Sequence, residues 1–111
     1  MNSVIVAAAL SGAVAVAAGA FAAHGASGQA ADWLKTGGQY QLAHALAALF
    51  AAQIGARGPG WLFVAGGAVF AGTLYLMALG LPRWLGAITP IGGAAMIVGW
   101  LWLAWCGIRR A

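Results

Sequence analysis

The residues of this chain that could do chemistry are neutral polar side chains set within apolar segments. His44 lies in residues 39–53, QYQLAHALAALFAAQ, and Tyr40 precedes it by four positions, so the two share a helix face. Imidazole, phenol and carboxamide groups can hold ligands, relay protons or tie helices together by hydrogen bonds. The candidate polar residues are His24, Gln39, Tyr40, Gln41, His44, Thr73, Tyr75 and Thr89.

The composition places these residues in a membrane protein. The chain has 111 residues, of which 64% are hydrophobic and 5% are charged, and its mean hydropathy is +0.93. Soluble domains carry roughly 25% charged residues. A membrane-spanning helix needs about 20 mostly apolar residues, and four such segments occupy most of the chain. We therefore expect an integral membrane protein whose first partner is the lipid bilayer.

The apolar runs predict an all-α membrane protein, a four-transmembrane-helix bundle that forms a single domain over residues 1–111. The spans are predicted at about residues 3–24, 39–54, 61–80 and 88–108. Between the first two spans, Trp33 and a break at Gly37-Gly38 predict a short interfacial helix. The first span is expected to be retained, because it lacks the basic segment that precedes the apolar run of a signal peptide.

Folding four spans back and forth brings the candidate polar residues into the same half of the membrane. The first span ends there at His24, the second begins there, and the later spans bring Tyr75 and Thr89. Ser11 and Gln53 are expected in the opposite half, on the side of the chain termini. That side has three basic residues and the other has two, which favours cytoplasmic termini. The basic residues are Arg57, Arg109 and Arg110, against Lys35 and Arg83.

Several roles are open to this polar cluster. Its members can form interhelical hydrogen bonds, which contribute about 0.6 kcal/mol each in membrane proteins. They can also line a site for a lipid, a quinone or a small solute, or form a proton pathway. A haem held between His24 and His44 is a weaker possibility. No metal site and no cofactor is predicted, because no acidic or thiolate residue lies beside the histidines.

The sequence argues against catalysis and nucleic-acid binding, because it lacks the residues that these functions need. The chain has a single acidic residue, Asp32, and it lies outside the predicted spans. A small multidrug exporter needs a glutamate within the membrane, and a Ser/His/Asp site needs an acid beside its histidine. The scattered basic residues form no groove for nucleic acid. We therefore predict that the protein is not an enzyme and has no catalytic residues.

Five short motifs resemble one family of small membrane proteins. They are GAFAAHG at residues 19–25, YQLAHAL at 40–46, FAGTLY at 70–75, TPIGG at 89–93 and Gly99-Trp100. They resemble the family known as domain of unknown function 423, or UPF0382, which has a eukaryotic relative called transmembrane protein 256. The resemblance covers nearly the whole chain, although Ala22 replaces a common glycine and Ala71 a common serine. The second departure removes one hydroxyl from the polar cluster.

The resemblance implies a small multi-span membrane protein of bacterial or organellar origin, and it implies no activity. We expect it in the bacterial cytoplasmic (inner) membrane. The first hypothesis is a structural or accessory protein that forms a homo-oligomer or joins a larger membrane complex. Small residues at Ser11, Ala15, Gly19 and Ala23 favour it, because they allow close helix contact. The alternative is a binding or transport module for a lipid, quinone or small solute at the His24/His44 cluster.

Overall fold

The computed structural model describes residues 1–110, and over that range it contains helices joined by short turns and no strand. The elements are α1 (Ser3–His24), α2 (Gly28–Gln53), α3 (Arg57–Ala78), a 3₁₀ helix η1 (Arg83–Ala87) and α4 (Thr89–Arg110). Three segments are long and apolar enough to cross a membrane, namely Ser3–His24, Arg57–Ala78 and Arg83–Arg110. The predicted all-α membrane fold is therefore confirmed. Helix α2 falls outside this group of three because Asp32, Lys35 and several glutamines lower its hydropathy.

Local signals in the sequence explain where the helices begin and end. The Asn2 side chain accepts hydrogen bonds from the backbone N–H groups of Val4 and Ile5 at 3.1 and 3.2 Å, which caps α1. Gly55 and Gly80 lie two residues after the ends of α2 and α3, and they have φ values of +79° and +99°. At both ends the hydrogen bonds form a Schellman motif, in which glycine adopts the left-handed conformation without a steric penalty.

The prediction of a separate interfacial helix is not supported, because α2 continues without a break through Gly37 and Gly38. These glycines are sites of close packing. A Cβ atom on Gly37 would lie 2.8 Å from Cε1 of Tyr75 on α3, and one on Gly38 would lie 3.1 Å from the carbonyl oxygen of Ala15 on α1. Helices α1 and α3 can approach α2 closely for this reason, and their packing outweighs the weak helix propensity of glycine.

The helices pack in chain order across the bundle. Helix α2 lies between α1 and α3, while α4 packs mainly against α3 and the 3₁₀ helix. Small side chains fill the α1–α2–α3 core, whose buried members are Val4, Ala8, Ala47, Ala48, Ala51, Ala56 and Phe63. The small-residue face predicted on α1 is buried at Ser11 and Ala15 but exposed at Gly19 and Ala23. Helix α1 nevertheless stays close to α2 as far as Ala18 and Gly19, because a Cβ atom on Gly38 would lie 3.5 Å from the backbone nitrogen of Gly19.

Helices α3 and α4 touch through their backbones at a pair of glycines. A Cβ atom on Gly92 would lie 2.7 Å from the carbonyl oxygen of Gly66, and one on Gly66 would lie 2.9 Å from that of Gly92. Further along α4, Gly99 packs against a side chain, because a Cβ atom there would lie 2.8 Å from Cε1 of the Phe63 ring. The buried residues of α4, which are Gly92, Met96 and Gly99, form a narrow stripe along one side of the helix.

We predict that Gly92→Ala destabilises the protein by about 1–3 kcal/mol, because the new methyl group meets backbone atoms that cannot move aside. The matched control is Gly107→Ala on the same helix, where nothing lies within 4 Å of the new Cβ atom. Its effect should stay within about 0.5 kcal/mol. The free energy of unfolding is measured by denaturant titration in detergent micelles. Equal effects of the two substitutions would contradict the close contact of α3 and α4.

Candidate functional site

The polar residues of α2 meet partners from all three of the other α-helices. The first network centres on Gln41, which is only 5% exposed. Its Nε2 atom donates a hydrogen bond to Ser11 Oγ on α1 at 3.0 Å. Its Oε1 atom accepts a hydrogen bond from the Tyr75 hydroxyl on α3 at 2.7 Å. A single buried carboxamide thus joins α1, α2 and α3.

The second network centres on His44, which is 7% exposed. The indole Nε1 of Trp100 on α4 donates a hydrogen bond to His44 Nε2 at 3.0 Å. The other ring nitrogen, Nδ1, lies 2.7 Å from the backbone oxygen of Tyr40. An indole N–H can only donate and a carbonyl oxygen can only accept. His44 is therefore the neutral imidazole with its proton on Nδ1.

Aromatic rings surround the imidazole of His44. The ring of Trp100 meets it edge-on with centroids 5.7 Å apart, and the ring of Phe63 is tilted at the same distance. Tyr40 stacks on it from one turn earlier at 6.4 Å. A proton carrier or a metal ligand needs a ring nitrogen that can change partners. Both nitrogens of His44 already have one, so the observed arrangement suits a fixed structural hydrogen bond.

A third polar contact joins the outer pair of helices. The hydroxyls of Thr73 on α3 and Thr89 at the start of α4 lie 2.6 Å apart. Thr73 Oγ1 also lies 3.0 Å from the backbone oxygen of Phe70 and can donate to it. This pair holds the first turn of α4 against α3, close to the 3₁₀ helix.

A cleft of about 290 Å³ opens between α2 and α4, with α3 as its floor. It is mostly apolar, and its exposed rings are those of Tyr40 and Trp100, which are 49% and 47% exposed. The hydrogen bond from Trp100 to His44 spans the space between the two helices. The residues lining the cleft are Tyr40, His44, Phe70, Gly93, Met96, Ile97 and Trp100.

The structure separates the predicted cluster into several parts. It brings together Gln41 with Tyr75, Tyr40 with His44, and Thr73 with Thr89. His24 lies exposed at the end of α1, and Gln39 is exposed on α2. Neither contributes to the hydrogen bonds of Gln41 or His44.

Two partners in these networks were missed by the sequence analysis. Ser11 was expected in the opposite half of the membrane, but it binds Gln41 because α2 begins at Gly28 rather than near residue 39. The polar residues of α2 therefore lie near the middle of that helix. Trp100 was not among the candidate polar residues, although it belongs to one of the five motifs. Its position midway along Thr89–Arg110 was the available signal, since interfacial tryptophans lie near helix ends.

Comparisons with known proteins agree with the resemblance seen in the sequence. The family model described as "Protein of unknown function (DUF423)" matches residues 18–93. A UPF0382 membrane protein of Staphylococcus epidermidis is 41% identical over 100% of this chain and 99% of its own. One from Haemophilus influenzae is 38% identical over 94% and 92%, and YwdK of Bacillus subtilis is 36% identical over 98% of each chain. No solved structure matches this chain significantly.

We predict that Trp100→Phe destabilises the protein by about 1 kcal/mol, because it leaves His44 Nε2 without its donor. Trp105→Phe is the control, since it makes the same change at a ring of similar exposure, 55% against 47% for Trp100. The ¹⁵N spectrum of labelled protein should show His44 protonated on Nδ1 in the wild type and in the control. In Trp100→Phe the two tautomers should mix. A wild-type His44 protonated on Nε2 would contradict the hydrogen bond from Trp100.

Proposed function

Because this chain belongs to the DUF423, or UPF0382, family of membrane proteins, we propose that it is a non-enzymatic structural or accessory protein. In this proposal it is a four-helix membrane bundle that self-associates or joins a larger membrane complex. The names of its relatives describe membrane proteins and assign them no activity. The role is therefore argued from how the polar side chains are used.

The observation that carries the proposal is the satisfaction of the buried polar groups. Within residues 1–110, every buried side-chain nitrogen or oxygen atom has a hydrogen-bond partner. An active site needs a nucleophile, acid or base that can reach a substrate. The most reactive buried group here is the imidazole of His44, and its partners Trp100 and Tyr40 engage both of its nitrogens. This pattern supports a role in holding helices together.

The geometry of α2 supports its assignment as the fourth membrane-spanning helix. Its 26 residues extend about 39 Å at 1.5 Å per residue, which exceeds the hydrocarbon thickness of about 30 Å. Its buried polar residues Gln41 and His44 have hydrogen-bond partners on α1, α3 and α4, so these two side chains do not face lipid. Four crossings put both ends of the chain on one side of the membrane.

The charge distribution supports an orientation with both termini in the cytoplasm, in a bacterial inner membrane. Arg57, Arg109 and Arg110 lie on the side of the termini, against Lys35 and Arg83 on the other side. Basic residues close to the spans are more common on the cytoplasmic side. The names of the bacterial relatives are consistent with a membrane location of this kind.

The outer face of α4 supports self-association or complex formation. Helix α4 has α3 as its main helix neighbour, and the rest of its circumference is apolar and exposed. Its exposed aliphatic residues include Ile91, Ile97, Val98, Leu101 and Ile108. A second copy of the chain, or a helix of another membrane protein, could pack along this face.

We expect protein extracted gently from its own membranes to run as a defined oligomer, or with a stoichiometric partner, in native mass spectrometry. Leu101→Trp should weaken that association roughly tenfold, because a larger side chain prevents close helix contact. Leu10→Trp on α1 is the matched control, since Leu10 and Leu101 are 64% and 67% exposed. A wild-type protein that is a lone monomer without a partner would refute the proposed role.

A second candidate function is a binding or transport module, and the cleft between α2 and α4 favours it. The cleft reaches His44 and offers the exposed ring of Tyr40 to a molecule within the membrane. A lipid chain or a quinone suits such an apolar space. The exposed position of His24 leaves it outside this site.

For this candidate we predict that native mass spectrometry detects a small molecule on the wild type that is absent from Gly93→Leu. The new side chain would fill the cleft, since a Cβ atom at Gly93 already lies 3.9 Å from the ring of Phe70. Gly107→Leu is the control, because it adds the same side chain where nothing lies within 4 Å. Equal occupancy in all three proteins, or no adduct in any of them, would exclude the cleft as a ligand site.

A further inference from the structure

The end of the bundle that holds both residue 1 and residue 110 carries three arginines. Arg57 Nη2 donates a hydrogen bond to Ser3 Oγ at 3.1 Å, which joins the start of α3 to the start of α1. Arg110 donates a hydrogen bond to the backbone oxygen of Ile54, which joins the end of α4 to the turn after α2. Arg109 lies beside them. All four α-helices therefore meet at this basic end.

A pocket of about 320 Å³ lies between the α2–α3 turn and the last turns of α4. We call it the arginine pocket, and its lining residues are Gly55, Ala56, Cys106, Arg109 and Arg110. The hydrogen bond to Ile54 holds the Arg110 guanidinium at its edge. A guanidinium carries several N–H donors, and Arg110 uses one of them on Ile54. The others, and those of Arg109, can serve a ligand.

The charges around the arginine pocket select an anion. The sole acidic residue of the chain, Asp32, lies near the start of α2, at the opposite end of the bundle. Arg57 adds a further positive charge to the end that contains the pocket. A planar guanidinium matches the oxygen atoms of a phosphate group in a two-pronged hydrogen bond. Phosphate is thus the anion that this set of donors fits best.

The position of the pocket indicates the source of that phosphate. The ring of Trp102 packs over Gly58 in the first turn of α3, and Trp105 is exposed nearby on α4. Tryptophans near helix ends lie at the level of lipid headgroups. Basic pockets between membrane helices bind the headgroups of anionic lipids. Cys106, which is partly buried, gives the pocket an apolar side on α4 along which an acyl chain can continue.

We propose that the arginine pocket binds the phosphate of an anionic phospholipid headgroup through Arg109 and Arg110. The inference rests on the proposed four-span arrangement, because that arrangement places this end of the bundle at a membrane surface. Arginines that served only to orient the chain would contribute charge without selecting one lipid.

The test compares two variants that remove the same charge from opposite ends of the bundle. Wild type, Arg109→Gln/Arg110→Gln and Lys35→Gln/Arg83→Gln are reconstituted in phosphatidylcholine vesicles with and without phosphatidylglycerol. Retained lipid is counted by native mass spectrometry. The first variant should lose phosphatidylglycerol affinity roughly tenfold or more, while the second should match the wild type. Equal losses in both variants, or no preference for phosphatidylglycerol in the wild type, would overturn the site.

Cys106 offers a second measurement, because it is the single cysteine of the chain and lines the pocket. Phosphatidylglycerol should slow its alkylation by a neutral maleimide in the wild type and in the Lys35/Arg83 variant. The Arg109/Arg110 variant should not be protected. Inorganic phosphate added to phosphatidylcholine vesicles should protect weakly. If it protects as well as phosphatidylglycerol does, the assignment to a lipid is wrong.

Failure of the four-span arrangement can be told apart from failure of the lipid site. In a Cys106→Ser background, Lys35→Cys and Arg57→Cys should react with a membrane-impermeant maleimide from opposite faces of sealed vesicles. Labelling of both from the same face would reject α2 as a span. The lipid selectivity is measured on proteins that keep Cys106 and is independent of that result.

Discussion

The constraint on which this structure depends is that the polar side chains of α2 must find hydrogen-bond partners inside the protein. In the proposed four-span arrangement α2 crosses hydrocarbon, which offers no donors or acceptors, so an unpaired amide or imidazole on that helix is costly. Gln41 and His44 meet the constraint with one partner on each neighbouring helix: Ser11 on α1, Tyr75 on α3 and Trp100 on α4. A rotation of any of these helices would break a bond, so α2 sets the orientation of the other three.

The hydrogen bonds of Gln41 and His44 also require that the helices approach one another closely. A hydrogen bond to a side chain as short as that of Ser11 requires helices that lie close together. Glycine makes this possible on both sides of α2 at positions 37 and 38, and between α3 and α4 at positions 66 and 92. Without a hydrophobic force between helices in lipid, such packing and the interhelical hydrogen bonds provide much of the association. The glycines therefore allow the close approach of the helices that the hydrogen bonds of the polar residues require.

This use of the polar groups shapes what the protein can do. The most reactive buried side chains are hydrogen-bonded to one another, so the accessible features lie at the edges of the bundle. One is the apolar cleft beside Trp100, and another is the arginine pocket at the end where the helices converge. Both suit molecules of the membrane better than soluble substrates. The proposed lipid site and the apolar face of α4 are both consistent with the proposed accessory role within a membrane assembly.

The sequence by itself determined the membrane environment, the helical class and the family, because composition and motif order are properties of the chain alone. It could not identify Trp100 as the partner of His44, because that pairing depends on how α4 is rotated against α3. It also predicted a helix break at Gly37-Gly38, because glycine has a low helix propensity. In the structure the helix continues there, because packing against α1 and α3 outweighs that propensity. Only the tertiary structure decided these points, since the neighbours that turn a glycine into a contact site, or a tryptophan into a donor, lie far away in the chain.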